Sequence, residues 1–460
     1  MIRAVTLFLF LSIASAALHA EKPNVIFILA DDLGYGDLGC FGQKQLTTPH
    51  IDQLAAEGMR LTRHYAGSTV CAPSRCVLMT GLHTGHCSVR GNGPALLDPE
   101  DFTVAELMRE NGYATACFGK WGIGSPPPPD DPNRHGFDEF YGYVNMFHAH
   151  NFYPEFLVRN GERQVLRNLL KSEYDELRDH PIKAGAGVAR EKLDYAPDLI
   201  AAEALKFIDS NRDQPFFLYF ALNIPHANNE GGRDGDPSRG MEVPHFGKFQ
   251  DQDWPPAEKG FASMLQKIDT YTGQIVAKLR EHGLEKKTLV IFSSDNGPHQ
   301  EGRHKMEFFD SNGDLRGMKR DLYDGGIRVP TIAWFPGRIR AGSSSNHLSG
   351  FQDLMPTLAE LVGAERPPTD GISMLPTLFG KGEQPGHKFL YWEFLEQGGK
   401  VAITDGRWKA ILLDTMKKGS ERIELYDLEA DPAEANNVAN DHPAVVGELR
   451  SHMGGAHRDL

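Results

Sequence analysis

The chain has 460 residues, 40% of them hydrophobic, five cysteines and a formal net charge of -14. That length and apolar content allow one large domain or two to three smaller ones around a sizeable core. The charge argues against nucleic acid or an anionic membrane as a partner of the whole chain, so an anionic ligand would need a local basic pocket.

Met1-Ile2-Arg3 precedes an apolar segment from Ala4 to Ile13 and then small residues ending near Ala20. This is the pattern of a cleaved signal peptide over residues 1–20. The expectation is an exported mature protein, bacterial periplasmic or secreted, without a membrane anchor, because no apolar run reaches spanning length. The five cysteines, Cys40, Cys71, Cys76, Cys87 and Cys117, are too few for a disulfide framework in a chain this long.

The first strong element is the apolar run Pro23 to Ala30, which ends in Asp31-Asp32 as a buried parallel strand ends at its carboxyl edge. Ligands bind at that edge in open α/β sheets. Two adjacent carboxylates there call for a cation, although paired Asp is also common in solvated turns. Thr48 to Gly58 reads as a short helix with Pro at its first position and a Gly stop.

Cys71-Ala72-Pro73-Ser74-Arg75 then opens an apolar run to Gly81. A cysteine at a helix N-terminus meets free N–H groups and the positive end of the macrodipole, a natural seat for a nucleophile facing an anion. A capped helix starting on a buried Cys is the plain alternative. His83, His86 and Arg90 follow, cationic or titratable groups that could line an anion pocket.

A helix from Val104 to Asn111 leads to a strand over Tyr113 to Phe118 that delivers Gly119-Lys120-Trp121-Gly122. A proline-rich loop at 125–130 precedes Gly136 to Gly142, and His148 and His150 follow in a loop, where they could be ligands, acid/base groups or ordinary polar residues. Residues 160 to 196 are polar with little periodicity and read as an insertion. A helix from Pro197 to Ser210 leads into a buried strand, Pro215 to Leu222, which delivers Asn223 and His226. The stretch 228–240, rich in Gly, Asn and charge, has the texture of a substrate loop. A long helix, about Phe261 to His282, precedes the strand Thr288 to Ser294 and its terminal Asp295-Asn296-Gly297.

Four strands thus place Asp31, Asp32, Lys120, His226, Asp295 and Asn296 at one sheet edge, a convergence that unrelated surface residues rarely show. Leu315 to Pro330 adds a basic run containing Lys319. After Pro385 the texture changes to short strands, Phe389 to Phe394, Lys400 to Thr404, Trp408 to Leu413 and Glu424 to Tyr426, and a terminal helix. The expected division is a catalytic domain over 21–384 and an antiparallel α+β subdomain over 385–460.

From Asn24 to the Glu424–Leu428 segment the chain resembles the sulfatases of the alkaline-phosphatase superfamily, bacterial polysaccharide and aryl sulfatases in particular. Cys71-Ala72-Pro73-Ser74-Arg75 is the specific part, the signature at which the family's cysteine is oxidised to formylglycine by a maturation enzyme. The resemblance implies an α/β fold, a large mixed, mostly parallel sheet flanked by helices, with the small C-terminal subdomain. It implies hydrolysis of sulfate monoesters, on a sulfated carbohydrate by preference, through a geminal diol that attacks sulfur and later expels sulfate.

By similarity Asp31, Asp32, Asp295, Asn296 and the modified Cys71 hold one divalent cation, an all-oxygen set that suits Ca2+ ahead of Mg2+. Arg75 pairs with the hydrated aldehyde and the metal carboxylates, Lys120 and Lys319 bind sulfate oxygens, and His226 protonates the leaving oxygen. Family members commonly read Gly-Lys-Trp-His, with that His assisting the elimination. Gly122 stands there in this chain, so His148 or His150 is the candidate for the missing imidazole or, with Arg90, for substrate contact. The rival readings are a formylglycine-dependent phosphoester or phosphonate hydrolase, and an unmodified glycan-binding relative.

Overall fold

The computed structural model describes residues 22–93, 96–124, 131–178, 180–231 and 240–459. The leader expected over 1–20, the proline run at 125–130 and most of the loop expected at 228–240 lie outside the described residues.

Ten strands form the large sheet: β1 (Asn24–Ala30), β2 (Met59–Leu61), β3 (Ala114–Lys120), β4 (Glu139–Tyr143), β5 (Phe156–Arg159), β6 (Glu162–Val165), β7 (Phe216–Ala221), β8 (Thr288–Ser294), β9 (Thr331–Trp334) and β10 (Ser343–Ser345). Their order is β10-β2-β9-β8-β1-β7-β3-β4-β5-β6. The central five, β8 to β4, run parallel, while β9 and β5 join antiparallel on either side. The sheet is therefore mixed and mostly parallel at its centre, as expected.

β1 explains why the sheet is covered on both faces. All seven of its residues are buried. Ile26 and Ile28 pack with Ile200, Phe207, Phe261 and Leu265, from the helices Ala196–Ser210 and Pro256–Glu281. Val25, Phe27 and Leu29 point the other way, among Val77, Leu107 and Leu358, from Cys71–Thr80, Val104–Glu110 and Leu354–Val362. Strand alternation thus feeds two cores, so the sequence reads as an unbroken apolar run.

Two regions differ from expectation. The helix expected from Phe261 begins at Pro256; a proline in the first turn forfeits no helical hydrogen bond, because that N–H has no partner anyway. Residues 160–196 hold the short strands β6, Leu169–Leu170 and Ala189–Glu191. β6 is exposed along its whole length at a sheet edge, so it carries no apolar alternation to read.

The C-terminal sheet is antiparallel, in the order β11 (Leu390–Phe394), β12 (Lys400–Thr404), β13 (Trp408–Leu413) and β14 (Arg422–Asp427). One face packs Tyr391, Ile403, Ala410 and Leu425 against Leu449, Met453 and Ala456 of the helix Pro443–Ala456. The other turns Leu390, Trp392, Ile411 and Tyr426 onto Tyr65, Val70, Leu322 and Ile327. Among the described residues no helix is long and apolar enough to cross a membrane.

Ile28→Ala removes a fully buried side chain from the strand that feeds both cores. The expected loss is about 2–5 kcal/mol, read as a lowered melting temperature in calorimetry.

Candidate active site

The strand ends are laced together before any side chain is considered. Asp31 N donates to Ile224 O at 3.1 Å, and Asp295 N to Ala30 O at 3.1 Å. Asp32 adopts φ 64, a left-handed turn that lets consecutive aspartates follow the strand, and its N–H donates to Asp295 Oδ1 at 3.1 Å.

Cys71 is the first residue of its helix and is buried. Burial pushes its thiol pKa up. Asn92 sits beside it, accepting from Ala72 N at 3.1 Å with its amide nitrogen 3.6 Å from Cys71 Sγ. One turn into the helix, Arg75 is fully buried. Its Nε and one terminal nitrogen donate to Asp295 Oδ2 at 3.0 and 2.8 Å, and the other terminal nitrogen donates to the Lys120 carbonyl. Arg75 therefore ties the helix that Cys71 starts to two of the strand ends.

The remaining charges pair across the edge. Lys120 Nζ donates to Asp31 Oδ2 at 2.7 Å, and Lys319 Nζ to Asp32 Oδ2 at 2.7 Å. Asn296 Nδ2 donates to Asp32 Oδ1 at 2.6 Å. Burial alone would push the Asp31 carboxyl up, but Lys120, His226 and Arg75 outweigh it and hold Asp31 well below the usual range. Asp295 goes the other way, raised by burial and by the neighbouring Asp31. The three carboxylates meet three fixed cations, Arg75, Lys120 and Lys319.

Two oxygens of the cluster are nonetheless left without a donor. Asp31 Oδ1 and Asn296 Oδ1 are buried and accept no hydrogen bond. Unpaired buried acceptors are costly, and an oxygen-seeking dication would satisfy both. The donor set of Asp31, Asp32, Asp295 and Asn296 therefore fits a hard divalent cation.

His226 is buried, with Nδ1 2.7 Å from Ala227 O, an acceptor, so Nδ1 carries the proton and Nε2 faces the cluster. Lys319 Nζ lies 2.8 Å from that Nε2. Burial, aided by the Lys319 charge, lowers the imidazole pKa to about 3. His150 stacks on the His226 ring at 4.7 Å and 11°, and its Nδ1 is 3.3 Å from Glu230 Oε2.

His148 and Arg90 are not brought to this cluster. His148 Nε2 meets the Phe156 carbonyl at 2.9 Å and its ring lies between Tyr143 and Phe156. Arg90 donates to Cys87 O at 3.0 Å and Glu393 Oε1 at 3.1 Å. His83 and His86 instead gather around Asp370, with His86 Nδ1 at 2.9 Å. Sequence reasoning missed Glu301, whose carboxylate lies 3.2 Å from Lys319 Nζ, 2.7 Å from the Arg320 guanidinium and 3.9 Å from His226 Nε2. It sits in an irregular segment with no periodic signal. Arg320 was visible only as one charge in a basic run.

A family model described as Sulfatase matches residues 23–364, and one described as N-sulphoglucosamine sulphohydrolase, C-terminal, matches 316–457. This chain belongs to the sulfatase family. As a sulfatase it is an enzyme that hydrolyses sulfuric esters. It is 32% identical to human arylsulfatase A, over 96% of this chain and 89% of that protein. It is 30% identical to the N-acetylgalactosamine-6-O-sulfatase of Bacteroides thetaiotaomicron, over 94% and 92%. Among solved structures, one from a glycosaminoglycan-metabolism locus of the same bacterium superposes with TM-score 0.76 at 27% identity, covering 95% of this sulfatase and 99% of that chain. Ps i-CgsB in complex with k-i-k-neocarrahexaose gives TM-score 0.76 at 28% identity, covering 95% and 93%. The phosphonate monoester hydrolase of Agrobacterium radiobacter, at 22% identity and TM-score 0.65 over 95% of each chain, shares the fold.

Gly122 occupies φ 81, and a Cβ there would lie 3.1 Å from Arg75 Cδ. Gly122→Ala forces a left-handed residue, at about 1–2 kcal/mol, and presses on the arginine that joins helix to sheet. A lower melting temperature together with slower sulfate release from an aryl sulfate is the expected outcome; a variant unchanged in both would remove the constraint argued here.

Proposed function

We propose that this sulfatase removes sulfate from a sulfated carbohydrate, using a formylglycine made from Cys71 by a maturation enzyme, and one divalent cation, Ca2+ ahead of Mg2+. The observation that carries the reading is the pair of unsatisfied oxygens, Asp31 Oδ1 and Asn296 Oδ1, in a buried cluster that also holds Cys71, Lys120 and Lys319. The carbohydrate preference draws on the bacterial N-acetylgalactosamine-6-O-sulfatase and on the neocarrahexaose complex. The leader pattern over 1–20 supports export to the periplasm or beyond.

Asp31, Asp32, Asp295 and Asn296, with the matured side chain at 71, would hold the cation, which supplies Lewis-acid polarisation of a sulfate oxygen and lowers the pKa of the adjacent hydroxyl. The hydrated aldehyde supplies the attacking oxygen, which an unmodified thiol does not. The other groups belong to the chain as it folds. Arg75 keeps the helix start in register with Asp295 and Asp31. Lys120 and Lys319 present buried ammonium groups to the sulfate oxygens, where preorganised charge in a dry site is worth most. His226, its Nδ1 proton donated to Ala227 O, turns Nε2 to the leaving oxygen and relays there a proton taken from the Lys319 ammonium, whose Nζ lies 2.8 Å from Nε2, leaving Lys319 neutral. His150 is the imidazole that stands in for the one absent at Gly122, held by its stack on His226 and by Glu230.

Correctly matured enzyme is expected to release sulfate from members of a panel of sulfated mono- and oligosaccharides, and to prefer aryl sulfate over the matching aryl phosphate. A preference for phosphate would favour the phosphohydrolase reading. An intact thiol at Cys71 in natively matured protein, read by peptide mass spectrometry, would favour a binding relative.

His150→Ala should lower kcat by about 10²-fold or more, whereas His148→Ala should leave turnover by the folded fraction near wild type. Wild-type sulfate release from His150→Ala would end the substitution reading.

A further inference from the structure

Lys319 lies in a stretch, Arg316 to Arg328, whose regular structure is a single helical turn, Asp324–Ile327. An irregular segment fixes an ammonium group in space only when its backbone is gripped from outside. Away from the C-terminal sheet the grip is four backbone bonds: Lys319 N donates to Pro298 O at 2.9 Å and Arg320 N to Thr69 O at 3.1 Å, while farther along Gly326 O accepts from Gly297 N at 3.0 Å and Ile327 O from Ala66 N at 2.8 Å.

The opposite side of the stretch is held by the C-terminal sheet. Arg316 donates to Tyr426 Oη at 3.0 Å and to Glu434 O at 2.7 Å. Tyr323 Oη donates to Glu424 Oε2 at 2.7 Å. Asp324 pairs with the fully buried Lys409 at 2.8 Å, and its backbone N–H donates to Glu434 Oε2 at 2.6 Å. Nearest to Lys319 itself is Lys400, at the start of β12. Its Nζ donates to Arg320 O at 2.7 Å and to Asp321 Oδ1 at 3.1 Å.

The Lys400 contact falls on a strained residue. Arg320 has φ 78, a left-handed conformation that non-glycine residues hold only when their surroundings over-determine it. This φ sets the direction in which the chain leaves Lys319, and it brings the Arg320 guanidinium to Glu301, which itself touches Lys319. A donor fixed on the Arg320 carbonyl holds the peptide in that orientation. We infer that Lys400, from the C-terminal sheet, is a positioning residue for Lys319: by gripping the Arg320 carbonyl it holds the strained turn that aims the Lys319 ammonium into the sulfate pocket. The inference rests on the reading of Lys319 as a sulfate-binding group.

Lys400 is only partly buried, its side chain 15% exposed, so Lys400→Met keeps the aliphatic stem and removes the donor without opening the core. The test is a double-mutant cycle on matured holoenzyme with an aryl sulfate. Lys400→Met should lower kcat/KM about tenfold or more, with a melting temperature close to wild type, and Lys400→Arg should recover most of the loss. In a Lys319→Ala background the same Lys400→Met change should have no further effect, because its effect runs through the missing ammonium. A merely structural role would lower activity by the same factor in both backgrounds, and that result overturns the inference, as does wild-type kcat/KM for Lys400→Met. If the Met variant melts early, Lys400→Leu, which also lacks a donor, carries the same cycle. Wild-type turnover by Lys319→Ala alone would overturn the assignment of Lys319, a separate failure visible before any Lys400 variant is made.

Discussion

Arg75 is the constraint on which the rest of the site depends. Its guanidinium is fully buried and divides its donors between the Asp295 carboxylate and the Lys120 carbonyl. An isolated ion in that position would cost several kcal/mol in lost hydration. The arrangement holds because each buried charge meets an opposite one: Asp31 meets Lys120, Asp32 meets Lys319 and Asp295 meets Arg75. Removing one member would strand its partner, so helix, strand ends and basic loop are stable as a set. The parallel sheet meets this demand because adjacent strands deliver their next residues to a common edge.

The strands and their edge were readable because each announces itself the same way, as an apolar run broken by a polar pair. β1, β7 and β8 are buried on both faces, which removes alternation and leaves only length and endpoint as signals. What the sequence could not settle were orientations. His148 and His150 are two residues apart in a stretch that reads as loop, but Met146–Ala149 forms a helical turn. Residues two apart on a turn face nearly opposite sides, so His148 turns into the apolar packing with Phe156 and His150 reaches His226. Arg90 looked like a free cation because its partner, Glu393, lies on a strand of the C-terminal sheet about three hundred residues later. Glu301 had no local signal, since its meaning comes from Lys319 and Arg320, which arrive from a different segment.

Gly122 shows a related limit. As a letter it is a missing histidine. In three dimensions it is a backbone in the left-handed region, close enough to Arg75 that a Cβ must crowd the guanidinium stem. The turn after β3 leaves room beside Arg75, and the imidazole that stacks on His226 comes from the segment after β4, at His150.

The C-terminal sheet also reads differently in three dimensions. Its apolar face shares one cluster with Val70, which precedes Cys71, and with Leu322 and Ile327, which follow Lys319. Trp392 Nε1 donates to Ala66 O at 2.9 Å, and Glu396 accepts from Asn92 N at 2.7 Å beside Cys71. The segments that bring Cys71 and Lys319 are separated by more than two hundred residues, and both lean on this sheet. Strands β1, β3, β7 and β8 fix their end groups relative to one another through the ladder between them. Cys71 and Lys319 sit outside that ladder, and a common backing is the way the fold gives them a fixed mutual position.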